Sequence, residues 1–239
     1  MTTELDGRTA VVTGASRGIG AGIAAALTSD GVRVVMLARN ESRLNEAASR
    51  LKGSIAIACD VSDPKSVEKA AKQIRSDLGG APDILINNAG IFGVSIVEET
   101  TTDFFAQTIN TNLVGPFRLI RAFLGDMKKR KSGHIVTIGS IADRSIFTGN
   151  AAYSAAKFGL RAVHEVLRAE LRETGVRASL ISPAATDTEI WETVTITDPA
   201  GKPHSKRPML SPDDVVAAVM FALTQPERVN IDELRLSHS

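Results

Sequence analysis

The sequence predicts a doubly wound α/β (Rossmann-type) fold, a parallel sheet of about seven strands flanked by helices on both faces. Three observations carry that expectation. Short apolar runs alternate with helical stretches along nearly the whole chain. The runs are rich in Val and Ile and mostly apolar on both faces, as strands covered on both sides must be. A glycine-rich turn joins the first run directly to a helical pattern, and repeated strand–helix–strand order with right-handed crossovers implies a parallel sheet.

The expected strands are 8–13, 32–37, 54–60, 83–87, 134–139, 176–182 and 231–236, with helices near 18–29, 41–51, 64–78, 103–130, 151–174 and 212–224. Asp63-Pro64 and Ser211-Pro212 mark two helix starts, each placing a capping side chain before a proline at the first helical position. At 239 residues, without a Pro/Gly/Ser-rich linker or a shift in composition, the chain reads as one domain over 1–239. The stretch 184–209 is the exception. It holds the only tryptophan, Trp191, and three of the nine prolines, and a connection of that length inside a domain is usually functional or disordered.

Bulk properties exclude several classes. A net charge of +1 with mixed signs points to neither nucleic acid nor an anionic membrane. No apolar stretch is long enough to span a bilayer, and the N-terminus shows neither a basic start nor an apolar leader core. The single cysteine, Cys59, reads as a buried thiol in a reducing, cytoplasmic setting. Four scattered histidines without a ligand pattern argue against a protein-built metal site.

The turn after the first strand reads Thr13-Gly14-Ala15-Ser16-Arg17-Gly18-Ile19-Gly20. Glycines there let backbone approach a pyrophosphate, and the following helix N-terminus offers free N–H groups and partial positive charge. The same residues fit Gly-x-Ser-x-Gly, the nucleophile elbow of serine hydrolases, with Ser16 as nucleophile. Nothing upstream of Gly14 could form the oxyanion-hole loop that this alternative needs. At the end of the second strand, an acid would favour NAD and a cation NADP. Ala38 stands in the acid's place and Arg39 follows; with Arg17 in the glycine turn, this favours NADP(H).

The only tyrosine, Tyr153, lies four residues before Lys157 and thirteen after Ser140. Four residues is one helical turn, so phenol and ammonium share a face. A fixed cation nearby lowers a phenol's pKa toward the working pH, as an acid–base catalyst needs.

Together these motifs resemble the short-chain dehydrogenase/reductase family over nearly the whole chain. The matching residues are the Thr13–Gly20 turn, Asp60-Val61, Asn87-Asn88-Ala89-Gly90, Asn112-Leu113-Val114-Gly115, Ser140, and Tyr153-x-x-x-Lys157. The resemblance implies an oxidoreductase that interconverts a ketone or aldehyde and an alcohol. It assigns Tyr153 as proton donor and Ser140 as the hydrogen-bond partner of the substrate oxygen. Lys157 would tune the phenol and hold the nicotinamide ribose, and Asn112 (or Asn110, if the register differs) would place a water leading to solvent. Asp60 and Val61 would hold the adenine, while Asn88, Ala89 and Gly90 would pack on the adenosine side, Asn88 serving mainly to satisfy backbone groups. After the sixth strand the family usually reads Pro-Gly and then a threonine; here Pro183 is followed by Ala184, and Thr188 is kept. The short C-terminal strand resembles the NADP-linked carbonyl reductases.

The four-residue Tyr–Lys spacing argues against enoyl reductases. An alternative is a catalytically idle NADP-binding regulator or scaffold, although such relatives typically lose Tyr, Lys or Ser. A small-molecule carbonyl or alcohol is the expected partner, with 184–209 folding over it. Lys202, His204, Lys206 and Arg207 read as a solvated loop or as a site for an anionic substrate, and Trp191 as a substrate wall or an anchor. A homodimer or homotetramer is expected through the two longest helices, with Ala151, Ala152, Ala155, Ala156, Gly159 and Ala162 allowing close approach.

Overall fold

A computed structural model of the chain describes residues 5–192 and 209–239. Seven strands form one sheet: β1 (Thr9–Thr13), β2 (Arg33–Ala38), β3 (Ile55–Ala58), β4 (Ile84–Asn87), β5 (Gly133–Ile138), β6 (Val176–Pro183) and β7 (Glu233–Leu236). Their spatial order is β3-β2-β1-β4-β5-β6-β7, and every neighbouring pair is parallel. The chain leaves β1 toward β2 on one side and returns to β4 on the other. The gap between the ends of β1 and β4 is therefore the topological switch point, where open α/β sheets bind ligands.

Alternation along the strands explains the two cores. Val12, Met36, Ile86 and Val136 point to one face, where α1 (Gly18–Ser29), α2 (Glu41–Ser49) and α7 (Pro212–Leu223) cover them. Val11, Val35, Leu85 and Ile135 point to the other, covered by α3 (Pro64–Leu78), α5 (Gly115–Lys129) and α6 (Ala151–Glu170). Both faces are buried, so period-two polarity disappears from the sequence. The predicted caps are present. Asp63 accepts from the amides of Lys65 and Ser66, and Ser211 forms a reciprocal capping box with Asp214, each satisfying amides that a helix start leaves open.

The helix expected over 103–130 is interrupted. A short α4 (Thr102–Ile109) passes into a π-helical turn at Asn110–Val114 before α5 begins. Pro116 has no N–H to give to the Asn112 carbonyl, so the α-helical ladder cannot continue there. The close-approach reading of α6 also needs correction. Ala152 and Ala156 are buried within the chain itself, and a side chain at Gly159 would meet Leu113 of the same chain at 2.8 Å. The outward stripe is Ala155, Phe158, Ala162 and Val166. Among the described residues no helix is long and apolar enough to cross a membrane.

Candidate active site

The loops after β1, β4, β5 and β6 surround a cleft of about 1060 Å³ at the switch point. Its floor is the glycine turn. Gly14 has a φ of +66°, and a side chain on Gly20 would lie 2.4 Å from the Gly14 carbonyl oxygen and 2.5 Å from Asn88 Nδ2. Only glycine closes that turn. Arg17 precedes α1 in an extended conformation, and no side chain caps the helix. The first amides of α1 are thus left for a ligand anion, beside Ser16, Gly18 and Ile19 on the cleft wall. No histidine lines this cleft among the described residues, so Ser16 has no imidazole base there.

Thr13 and Asn88 tie the two sides of the switch point together. The Thr13 hydroxyl accepts from the amides of Asn88 and Ala89, both at 2.9 Å. Asn88 Nδ2 donates to the Thr13 carbonyl at 2.9 Å. The Asn88 amide nitrogen therefore satisfies backbone. Further along, Gly90 and Ile91 approach the π-helical turn. The Asn112 side chain accepts from the Ile91 N–H and donates to the Ile91 carbonyl, each at 2.8 Å.

At the end of β2, Ala38, Arg39 and Asn40 line the cleft together with Arg43. Asn40 caps α2 by accepting from the Arg43 amide. Arg43 escaped the sequence reading, although its place one helical turn after Arg39 was the available signal. Arg17 lies 3.8 Å from Glu192, on the side of the 184–192 segment. Beyond β3 the cleft is lined by Cys59 and Val61. The Asp60 carboxylate accepts from the Ser62 amide at 2.8 Å and from its hydroxyl at 2.6 Å.

Ser140, Tyr153 and Lys157 converge on the same cleft. Ser140 lies two residues beyond β5 and accepts from the Ala142 amide at 3.1 Å, which fixes its hydroxyl at the head of a 3₁₀ turn, Ile141–Asp143. Tyr153 and Lys157 stand one turn apart on α6. Lys157 Nζ donates to the Ile138 carbonyl at 2.8 Å and lies 5.5 Å from the Tyr153 ring centroid. Burial pushes the phenol up to about 12; the Ser140 hydrogen bond opposes this and the charge of Asp143 adds to it. Burial lowers Lys157 to about 8, against the pull of Asp143. The depressed phenol expected from the spacing is thus absent in the protein alone, because desolvation dominates.

Phe92 also escaped the sequence reading. It meets Tyr153 edge-on at 4.9 Å and Trp191 at 4.8 Å. Trp191 is both anchor and wall: its indole N–H donates to the Thr186 carbonyl at 2.9 Å while the ring faces the cleft. Pro183 closes β6 beside Leu236, and the Ala184 amide donates to the Leu236 carbonyl. The missing glycine is accommodated by this continued pairing. Thr188 reaches the glycine turn, its methyl group 3.4 Å from a side-chain position on Gly18. Lys202, His204, Lys206 and Arg207 lie outside the described residues.

The family model for short chain dehydrogenases matches residues 8–198. An uncharacterised oxidoreductase of Staphylococcus aureus is 35% identical over 234 residues, covering 97% of each chain. An alcohol dehydrogenase from the archaeon Thermococcus sibiricus, solved with 5-hydroxy-NADP, superposes with a TM-score of 0.83 at 31% identity, over 96% of this chain and 95% of that one. A metagenomic short-chain oxidoreductase solved with NADP gives 0.82 at 33% identity, over 98% and 99%. The chain belongs to the short-chain dehydrogenase family. It is an oxidoreductase of that family.

Proposed function

We propose that the protein is an NADP(H)-dependent oxidoreductase of the carbonyl-reductase branch, interconverting a ketone or aldehyde and an alcohol. The observation that carries this reading is the convergence of Ser140, Tyr153 and Lys157 on one cleft with the glycine turn. An idle NADP-binding scaffold of the same fold would require none of the three.

The residues fit a bound dinucleotide. The cradle at Gly14 and Gly20 leaves no room for side chains, the uncapped start of α1 faces the cleft, and Arg39 and Arg43 supply positive charge where the 2′-phosphate of NADP would sit. Val61, Ala89 and Gly90 would flank the adenosine, with Asp60 and Asn88 shaping those loops. Pro183 and Thr188 would flank the nicotinamide. When bound, the nicotinamide ring supplies or accepts the hydride.

The chain's own residues manage the proton. Charge developing on the carbonyl oxygen is met by a hydrogen bond from Ser140 and by the proton of Tyr153. A phenol protonated throughout the neutral range is present in the form that donates during reduction. Charged Lys157 steadies the phenolate that results. Reprotonation would run through a water held by the carbonyl of Asn112, which Pro116 leaves without its α-helical donor, because the Asn112 side chain is already engaged with Ile91.

Substrate class follows from the walls. Among the described residues, the loops after β4, β5 and β6 bring Phe92, Ile96, Ile146, Phe147 and Trp191 to the cleft. Ile146 remains 78% exposed, an apolar surface that a bulky apolar ketone would cover. We read the protein as one cytoplasmic domain with the described 184–192 segment beside the substrate. Dimer or tetramer contacts would use the outward stripe of α6 together with exposed Phe105 and Phe117. The test is NADPH consumption with aryl ketones, diketones, quinones and aldehydes beside keto acids of matched size. Apolar carbonyls should be favoured at least tenfold in kcat/KM. Inertness to every carbonyl, or a preference for the keto acids, would contradict the reading.

A further inference from the structure

Asp143 and Lys157 are the only Asp, Glu, Lys or Arg side chains that the fold buries among the described residues. They flank adjacent backbone positions. Lys157 Nζ is bonded to the carbonyl of Ile138, and Asp143 Oδ2 lies 3.2 Å from where a side chain on Gly139 would begin. Buried charges are tolerated when an opposite charge or hydrogen-bond donors compensate them. The ammonium has one carbonyl partner and no direct carboxylate contact, so its compensation comes through space.

Asp143 is held hard in place. Its carboxylate accepts from Ser182 Oγ on β6 at 2.7 Å and from Arg144 Nε at 2.7 Å. Arg144 also binds Glu233 on β7. Two carboxylates share one guanidinium, so the trio keeps an excess negative charge. Its other end is the turn that positions Ser140, since the Asp143 amide donates to the Ser140 carbonyl at 2.9 Å.

We propose that Asp143 is a positioning residue for the catalytic pair, a fixed negative charge that favours the protonated form of both Lys157 and Tyr153. The inference rests on the acid–base roles given above to Tyr153 and Lys157. The Asp143 charge acts upward on both groups, adding to the burial that raises Tyr153 and opposing the burial that lowers Lys157. The groups around Asp143 are Arg144 on its own turn, uncharged Ser182 on β6, Glu233 on β7, and Tyr153 and Lys157 on α6. Arg235 on β7 is exposed, and the π-helical turn packed on α6 presents only uncharged Asn110 and Asn112.

Asp143→Asn tests this while keeping the shape. The chain has one tyrosine, so tyrosinate absorbance reads Tyr153 alone, without substrate or cofactor. Removing a negative charge lowers neighbouring pKa values. A shift of about one unit multiplies the tyrosinate fraction at a fixed alkaline pH by nearly ten while that fraction is small. The same variant should move the alkaline limb of the pH profile for ketone reduction toward acid by a similar amount. A merely structural Asp143 would lower rates at every pH and leave both titrations in place, and that result overturns the proposal. Should the variant fail to fold, Glu233→Gln at the edge of the sheet decides the matter. It should shift both titrations acidward by a smaller amount, and an unmoved titration counts against the proposal. A shifted phenol in a protein inert to every ketone would instead indict the assigned function.

Discussion

The ammonium nitrogen of Lys157 lies 5.5 Å from the centroid of the Tyr153 ring, one turn away on the same helix. Lys157 is buried at a place where water would stabilise its charge better. Lys157 is only 6% exposed and is lowered to about 8 from 10.5, so between those values the unfolded chain binds a proton that the folded chain does not. The cost is therefore present in full below pH 8 and fades as pH rises from 8 toward 10.5.

Replacing the ammonium by a thioether should expose that cost. Lys157→Met removes a penalty of about 3 kcal/mol at pH 7 and forfeits about 1 kcal/mol for the Ile138 carbonyl's lost partner. A net gain of about 2 kcal/mol in unfolding free energy is expected from denaturant titration, with turnover abolished. The gain should shrink at pH 10. A variant less stable than the parent at neutral pH would refute this.

Cofactor choice is assigned to the end of β2. Arg39 is exposed in the cleft beside Ala38 and Arg43, and a charge-assisted hydrogen bond contributes about 1.5–3 kcal/mol. Arg39→Asp should therefore weaken NADPH binding at least tenfold and improve NADH binding, measured as Kd values by fluorescence titration. Unchanged preference would remove Arg39 from the 2′-phosphate site.

Acid should unfold the protein through its buried imidazoles. His134 is bonded to Ser179 at 2.8 Å, and burial lowers it to about 3; His164 is lowered in the same way. Each is neutral in the fold and charged in the unfolded chain below about 6.5, so stability falls as pH drops through that range. His134 alone should cost about 2 kcal/mol between pH 6.5 and 5. His134→Gln should flatten the dependence of the denaturation midpoint on pH, and an unchanged slope would show that another group controls it.

The strands were legible in the sequence because burial on both faces leaves uninterrupted Val and Ile runs. The helix starts at Pro64 and Pro212 were legible because capping is local. So were the glycine turn and the Tyr153–Lys157 turn, whose spacing along the chain equals their spacing on one element. The break at Asn110–Val114 was hidden because an apolar helical period continues through it. Phe92 and Asp143 look like ordinary loop residues until β5, β6 and β7 come alongside. Ser182 and Glu233, which help to bury and hold Asp143, lie 39 and 90 positions further along. The direction of the Tyr153 shift was also missed, since residue spacing reports a neighbouring charge and says nothing of desolvation.

The account turns on Tyr153 delivering a proton to the substrate oxygen. Its most direct test is a single turnover of Tyr153→Phe preloaded with NADPH and mixed with a ketone that the parent reduces. The rate of NADPH oxidation should fall at least a hundredfold, within the range typical of general acid catalysis, while the Kd for NADPH stays close to that of the parent. A variant that keeps more than a tenth of the parental rate would contradict the account.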